Sequence, residues 1–194
     1  MESHPDINNN NDPVPFPYPQ THSFPPFYTL QPNTSTLHAQ LTTWSSLILS
    51  YCRHHRLFKL SLSDALEWDL FCNKTIQRRL SLNDARAVID FMRTKEGRAE
   101  WADAGKGGKG EGNVCWIWWR RAEEWAELLE HWVDETGQKN TVLTFYELTD
   151  GEMSRGTEFH GMDREVLQKS LNVLTKRGKA QVFGNEDQPG VKFF

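Results

Sequence analysis

Two stretches, "TKEGRAEW" (Thr94–Trp101) and "TKRGKAQV" (Thr175–Val182), decide the fold of this chain of 194 residues. They agree in kind at most positions, and each passes from a basic helix end through a glycine into a run that suits a strand. Glycine often follows the last turn of a helix because it adopts the left-handed conformation without steric cost. The recurrence predicts one structural unit that is present twice in tandem.

Upstream of "TKEGRAEW" the pattern is that of a small helical domain. A helical apolar stripe predicts a first helix to about Arg56, and hydroxyl caps precede it. "LFKLSL" (Leu57–Leu62) alternates like a short strand, and "NKTIQRR" (Asn73–Arg79) suggests a weaker helical piece. A further helix begins at a cap on Ser81 and ends at Gly97. The stripe consists of Leu37, Leu41, Trp44, Ile48 and Tyr51.

Each unit closes with a predicted β-hairpin. In the first unit, "RAEWADA" and "NVCWIWW" favour strands, and the glycine-rich "GKGGKGEG" (Gly105–Gly112) joins them. In the second unit, "KAQVF" and "GVKFF" pair across "GNEDQPG". The second unit also contains two amphipathic helices, in "AEEWAELLEHWVDETG" and "GMDREVLQKSLNVLTKRG", with a strand in "NTVLTFYELT" between them.

The order helix, strand, helix, helix, β-hairpin, found twice, predicts an α+β fold of two tandem winged-helix domains. We place the first domain at residues 34–120 and the second at 121–194. Residues 1–33 contain eight of the nine prolines and no lysine or arginine. This composition predicts a proline-rich tail that is disordered or in polyproline II conformation, outside both domain cores.

Composition excludes several classes of function. The net charge of −4 argues against a dedicated nucleic-acid binder, which normally carries a basic face. No apolar run approaches the ~20 residues of a membrane span, and no secretory signal is visible. The three widely spaced cysteines favour reduced thiols in a cytoplasmic protein over a disulfide or a metal site. No nucleophile and base stand at a catalytic spacing, so we expect neither an enzyme nor a cofactor.

Winged helices often place a recognition helix in the major groove of DNA. The two candidate helices here, at residues 82–96 and 163–177, mix acidic and basic side chains on their exposed faces. Acidic groups there would meet phosphates unfavourably. DNA binding therefore stays an alternative, and a protein-interaction scaffold is favoured.

Several motifs together carry a resemblance to a known family. They are "FPPFYTLQPN" (Phe24–Asn33), "QLTTWSSLILSYC", "WWRRAEEWAELLEHWV", "TFYELTDGE", "EFHGM" and the final "GVKFF". In combination they resemble the vacuolar protein sorting-associated protein 25 family, which provides the small subunit of the ESCRT-II complex. The resemblance covers about residues 24–194.

The resemblance implies a non-catalytic ESCRT-II subunit that sorts ubiquitinated membrane cargo at multivesicular bodies. It implies two copies of the chain per complex, docked on two larger subunits through the first winged helix, while the second winged helix recruits an ESCRT-III subunit. It also implies a cytoplasmic protein that is recruited to the endosomal membrane. The docking motif carried over is Pro25, Pro26, Phe27 and Tyr28, preceded by Phe24.

The resemblance implies a further contact at Arg78. The family run "N-x-x-I-Q-R" corresponds here to Asn73, Ile76, Gln77 and Arg78, and the arginine resembles one that pairs with an acid of a larger subunit. A solvated arginine on a short helix is the alternative.

Two other points concern the prolines. The motif "PPFY" also satisfies PPxY, the ligand of WW domains, so an adaptor for a ubiquitin ligase is an alternative function. Some family members carry an additional upstream PPxY motif. The corresponding run here, Pro15–Tyr18, lacks adjacent prolines.

Overall fold

The computed structural model describes residues 14–102, 112–185 and 189–194. Contacts between Cα atoms divide the chain into two compact units, one holding Pro15–Trp119 and the other Arg120–Phe194. Most of the glycine-rich tip "GKGGKGEG", residues 105–111, lies outside the described residues. Each unit repeats one order of helices and strands, which confirms the predicted α+β fold of two tandem winged helices.

The first unit is built on the long helix α1, Thr34–His54, whose N-terminus is capped by the side chain of Asn33. The elements that follow are the strand β1 (Lys59–Ser61), the short helix α2 (Leu62–Ala65), the strands β2 (Cys72–Asn73) and β3 (Arg78–Arg79), the helix α3 (Leu82–Phe91), and the hairpin strands β4 (Ala99–Trp101) and β5 (Val114–Ile117). The strands β1, β5 and β4 form an antiparallel sheet in that order.

The second unit has the same plan, without a counterpart of the pair β2–β3. Its elements are α4 (Ala122–Thr136), β6 (Val142–Thr144), α5 (Phe145–Thr149), α6 (Arg164–Lys176), β7 (Ala180–Phe183) and β8 (Gly190–Phe193). The strand order β6-β8-β7 matches the order β1-β5-β4 of the first unit. In both sheets a buried alanine begins the first hairpin strand, Ala99 opposite Ile117 and Ala180 opposite Phe193.

The repeated stretch behaves as expected at its glycines. Gly97 and Gly178 both adopt positive φ, at 63° and 70°. In each unit the backbone N–H of the next residue turns back to the helix, from Arg98 to the carbonyl of Met92 and from Lys179 to that of Leu174. The first connection is one residue longer because α3 continues into a short π-helix, Met92–Glu96.

Two predictions about the first unit are wrong. The segment Asn73–Arg79 is not a helical piece but a small β-hairpin, in which β2 and β3 pair antiparallel. The side chain of Asn73 accepts hydrogen bonds from the backbone N–H groups of Thr75 and Ile76, and this local bonding stabilises a turn instead of a helix. In addition, residues from Pro15 onward are packed into the first unit and do not form a tail outside it.

The three cysteines are free thiols. Cys52 and Cys115 are buried, whereas Cys72 is half-exposed on β2. Burial, together with the nearby Cys115, raises the pKa of the Cys52 thiol far above its usual range. Across the described ranges, no helix is long and apolar enough to cross a membrane.

Candidate protein-docking site

The predicted docking motif lies in a segment that we call the strap, residues 15–33. Within it, Pro25–Tyr28 forms one turn of 3₁₀ helix instead of the predicted polyproline II. Proline has its φ angle already in the helical range and needs no N–H partner in a first turn, so Pro25 and Pro26 suit this start. Backbone N–H groups of Phe27 and Thr29 close the turn on the carbonyls of Phe24 and Pro26, at 2.9 and 3.3 Å.

The two aromatic residues of the motif point into the first unit. Phe27 is 5% exposed and its ring stacks on Trp44 of α1, with centroids 4.1 Å apart and planes 8° apart. Tyr28 is 3% exposed and meets the edge of the same indole at 5.6 Å. The expectation that these residues lie outside the domain core is therefore wrong. Their packing is favourable because, without them, one face of the Trp44 ring would be exposed to water.

Polar groups of α1 satisfy the backbone of the strap. The side-chain amide of Gln40 donates to the carbonyls of Pro26, Phe27 and Thr29, at 3.3, 2.9 and 3.0 Å. The indole N–H of Trp44 donates to the Phe27 carbonyl at 3.1 Å. Buried carbonyl groups are costly unless they are bonded, so these contacts explain why a segment without regular strands can pack against a helix.

The upstream run Pro15–Tyr18 packs differently. Phe16 lies edge-on to Tyr18 and to Tyr51 of α1, with centroids 4.9 and 5.3 Å apart. Both Phe16 and Tyr18 are half-buried, while the prolines between and beside them are exposed. Burial raises the pKa of Tyr18 above its usual range, so its hydroxyl stays protonated at neutral pH.

The structure brings the Arg78 hairpin beside the motif. The strand β3, which holds Arg78 and Arg79, lies against the 3₁₀ turn Pro25–Tyr28. Arg79 forms an ion pair with Glu67, which occupies its guanidinium. Arg78 is exposed, and within the described part of the chain its guanidinium has no ion-pair partner. The predicted site residues thus converge on one surface, although 50 residues of sequence separate them.

Around the motif, the part of this surface that faces water is apolar. Phe24 is 58% exposed, and Pro25 and Pro26 beside it are also exposed. Phe24 and Pro26 border a concavity of about 360 Å³ between the strap and α1. Its other lining residues are Thr21, Phe27, Gln31, Thr36, Ala39, Gln40 and Thr43. An exposed aromatic residue next to an apolar concavity is typical of a protein-contact surface.

Sequence reasoning did not assign a role in the site to the four residues that hold it together. These are Gln40 and Trp44 on α1, His22 in the strap, and Asn73 at the hairpin. His22 accepts through its carbonyl from the Tyr28 hydroxyl and from the Asn73 amide, both at 2.9 Å. Asn73 was within reach of the sequence, since it begins the run "N-x-x-I-Q-R", but its partner lies 51 residues away.

The geometry argues against the WW-domain alternative. A WW domain binds its proline-rich ligand as an extended polyproline II segment. Here the four residues form a 3₁₀ turn, and Tyr28 is buried with its hydroxyl bonded to the strap itself. Recognition by a WW domain would require this turn to unfold from Trp44.

The second unit offers a separate exposed surface around α5. Core packing dominates in the stretches "TFYELTDGE" and "EFHGM", since Phe145, Leu148 and Phe159 are buried. Tyr146 on the outer side of α5 is 69% exposed, and Met153 in the following turn is 55% exposed.

Comparison with known proteins places the chain in a family. A family model described as "ESCRT-II complex subunit" matches residues 21–163. Vacuolar protein-sorting-associated protein 25 of Danio rerio is 44% identical over 179 residues, which cover 92% of this chain and 99% of the relative. The human protein of the same name is 42% identical, with 92% and 98% covered. That of Arabidopsis thaliana is 36% identical, with 92% and 96% covered.

Solved structures support the same family assignment. The crystal structure of subunit VPS25 of the endosomal trafficking complex ESCRT-II superposes with a TM-score of 0.79 at 31% identity, covering 91% of this chain and 98% of that one. The corresponding chain in the endosomal complex ESCRT-II (VPS22/VPS25/VPS36) gives a TM-score of 0.76 at 30% identity, with 90% and 98% covered. The fold is that of a tandem winged-helix protein, and the exposed apolar surface is typical of one that contacts other proteins. The chain belongs to the vacuolar protein sorting-associated protein 25 family of ESCRT-II subunits.

Proposed function

We propose that this chain is the small, non-catalytic subunit of an ESCRT-II complex and sorts ubiquitinated membrane cargo at multivesicular bodies. Its partners are two larger subunits, of the kind named with VPS25 in the solved VPS22/VPS25/VPS36 complex. Two copies of the chain join each complex. The protein is cytoplasmic, and its partners bring it to the endosomal membrane. The family match and the near-complete coverage of the relatives support this function.

We infer that the docking motif contains two sets of residues with different roles. Phe24, Pro25 and Pro26 contact the larger subunits, whereas Phe27 and Tyr28 hold the turn on Trp44. The single observation that carries this assignment is the 58% exposure of Phe24 beside an apolar concavity, in contrast to the burial of Phe27 and Tyr28. A turn that is already folded loses little conformational entropy on docking, which favours affinity.

Arg78 is proposed to extend this surface with a charge. Its guanidinium is exposed beside the motif and is available to a carboxylate of a larger subunit. A rim ion pair of this kind contributes more to the rate and orientation of association than to affinity, and salt weakens it.

The second winged helix is proposed to recruit the ESCRT-III subunit. The exposed apolar side chains around α5, Tyr146 and Met153, support a protein contact on this unit. The two units then serve different partners, so damage to one surface leaves the other interaction intact.

The test is co-purification of the full chain with its two larger subunits, followed by native mass spectrometry to count copies. Phe24→Ala should weaken assembly by about 2 kcal/mol, the loss typical of a central aromatic anchor. Tyr146→Ala is the matched control, because it removes an equally exposed aromatic ring from the other unit. It should leave ESCRT-II assembly unchanged and weaken binding of the ESCRT-III subunit.

The charged contact needs its own pair of variants. Arg78→Asp should weaken assembly at low salt by a smaller amount than Phe24→Ala does, and its effect should shrink at high salt. Arg79→Asp, on the same strand, should weaken assembly less than Arg78→Asp. Normal assembly of Phe24→Ala would contradict the assignment of the docking surface. A complex with one copy of the chain would contradict the proposed stoichiometry.

A further inference from the structure

His22 is a buried histidine of the strap, and both of its ring nitrogens face polar groups of the first unit. The side chain is 5% exposed and stacks on Tyr18, with ring centroids 4.3 Å apart. Its Nε2 lies 2.8 Å from the backbone carbonyl of Asp69, and its Nδ1 lies 3.3 Å from the amide nitrogen of Asn73. Both ring nitrogens therefore face a group whose hydrogen-bonding role can be identified.

The partners determine the protonation state of the ring. The carbonyl of Asp69 can only accept, so Nε2 carries a hydrogen and donates. The side-chain oxygen of Asn73 accepts from two backbone N–H groups, at 3.0 and 3.3 Å, which fixes the orientation of the amide and presents its NH₂ to His22. Since that NH₂ can only donate, Nδ1 must accept and cannot carry a hydrogen. The contact is complete only when the imidazole is neutral.

This contact joins the two elements of the proposed docking surface. The carbonyl of His22 accepts from the Tyr28 hydroxyl, which holds the end of the 3₁₀ turn. Asn73 pairs with Arg78 across the β2–β3 hairpin, so the same asparagine positions the arginine. The amide nitrogen of Asn73 lies within hydrogen-bonding distance of both the Nδ1 and the backbone carbonyl of His22, and the same side chain also contacts Tyr28.

We propose that His22 and Asn73 form a latch that holds the strap and the Arg78 hairpin together most firmly while His22 is neutral, so that acidification loosens the docking surface. A second hydrogen, on Nδ1, would face the NH₂ group of Asn73 and break the contact. The proposal rests on the proposed function for what the surface binds, while the latch itself is a property of the isolated chain.

The groups around the ring favour the neutral form of His22, as the proposal requires. Burial is the largest influence and lowers the pKa of His22, while hydrogen bonds to the backbone of Asp69 and Leu70 and the Asp69 carboxylate oppose it. Tyr18 and Tyr28 face the ring, and burial raises the pKa of both, so they stay neutral. Because the folded pKa lies below the unfolded one, the unfolded state binds more protons, and stability falls as the pH drops below about 6.5.

The test uses the purified full chain without partners. The imidazole of His22 is titrated by NMR, and amide hydrogen exchange is followed across residues 20–29 between neutral and mildly acidic pH. The wild-type ring should titrate below the ordinary value of about 6.5. Exchange of the strap should rise several-fold as the ring charges, relative to a variant at the same pH that cannot titrate at this position.

Three variants sharpen the result. His22→Gln keeps a donor for Asp69 but cannot titrate, so the acid-dependent rise in exchange should disappear. Asn73→Asp puts an acceptor opposite Nδ1, so the pKa of His22 should rise above the wild-type value. His131→Gln, which removes an exposed histidine on α4, is the matched control and should behave as wild type. If Asn73→Asp does not fold, His22→Gln alone decides the question.

The latch is refuted if His22 titrates at its ordinary pKa, or if strap exchange shows the same acid dependence in wild type and His22→Gln. Co-purification with the larger subunits at neutral and acidic pH is a separate arm. Assembly that weakens at acidic pH in wild type but not in His22→Gln supports the latch as a control of docking. Absence of assembly at every pH contradicts the proposed function and leaves the titration result standing.

Discussion

The two winged-helix units share a frame but complete their cores in different ways. In the second unit, Trp132 of α4 meets the edge of Phe159, which lies within the frame between α5 and α6, at a centroid distance of 5.5 Å. In the first unit, Trp44 of α1 receives Phe27 from the strap, which precedes the frame. The helix α1 has 21 residues and α4 has 15, so the first unit has more helix surface to cover.

The difference shows that the strap is part of the first domain. A segment outside the winged-helix frame supplies the stacked aromatic partner of a core tryptophan, which also contacts Phe71 of the frame. The most exposed aromatic residue of the strap, Phe24, is therefore held in place by a segment that packs into the domain core. In the second unit the exposed aromatic residue, Tyr146, lies on a helix of the frame.

The largest effect on stability is expected when the units are produced as separate fragments and the first one lacks the strap. A fragment of residues 120–194 should unfold cooperatively by itself, although a domain this small has limited stability. A fragment of residues 34–119 should lose its cooperative transition, because removal of the strap exposes Trp44 and leaves Gln40 without its carbonyl partners. Circular dichroism melts check both, with residues 15–119 as the control that restores the strap. Equal melts of the fragments 34–119 and 15–119 would contradict the comparison.

A smaller but still large effect is expected from the motif itself. Phe27→Ala should lower the free energy of unfolding of the full chain by about 3–5 kcal/mol, the usual range for a buried phenylalanine. Phe24→Ala, three residues earlier and mostly exposed, should change it by less than about 0.5 kcal/mol. Urea denaturation measures both. Similar values for the two variants would show that the strap does not belong to the core.

Loss of the polar support should cost less. Gln40→Leu keeps the volume of the side chain but removes the donor to the three strap carbonyls, and Trp44 still bonds one of them. We expect a destabilisation of about 1–3 kcal/mol, typical of buried groups left without a partner. Thr42→Val on the exposed face of α1 is the control. No change in the urea midpoint for Gln40→Leu would indicate that water replaces the amide.

The smallest effects should be equal in the two units. An added Cβ at Gly97 or Gly178 meets no atom within 4 Å, so only the positive φ angle is unfavourable. Gly97→Ala and Gly178→Ala should each cost about 1–2 kcal/mol in the unit that holds them. Thermal melts of the single variants check this. A clear inequality would mean that the π-helix before Gly97 relaxes and absorbs the strain.

Much of the fold could be predicted because its signals are local. Ser81 caps α3 through a hydrogen bond to the N–H of Asp84, and Gly97 ends the helix, both within a few residues of sequence. The short helix α2 and the pair β2–β3 could not be predicted, since two to four residues carry no periodicity. For Asn73–Arg79, helical propensity was outweighed by the bonds of Asn73 to its own backbone.

For the candidate site, too, local sequence signals could be predicted and long-range contacts could not. The resemblance singled out Phe24–Tyr28 and Arg78 from sequence, and the structure brings them together. Their orientation could not be predicted, because the burial of Phe27 depends on Trp44, 17 residues away, and the position of Arg78 depends on a hairpin held by His22. Proline-rich composition favours disorder, yet the strap has enough aromatic side chains to offset the entropy of ordering.

The half-exposed Cys72 gives the chain a natural position for a spectroscopic label. The buried thiols of Cys52 and Cys115 are shielded from reagents, so a maleimide dye should attach at Cys72 in the folded protein. That residue precedes Asn73 and lies on the hairpin that carries Arg78. In the hairpin Cys72 is paired with Arg79, next to Arg78, so the emission of the dye should change when a partner covers the hairpin, and binding could be followed in real time without altering the sequence.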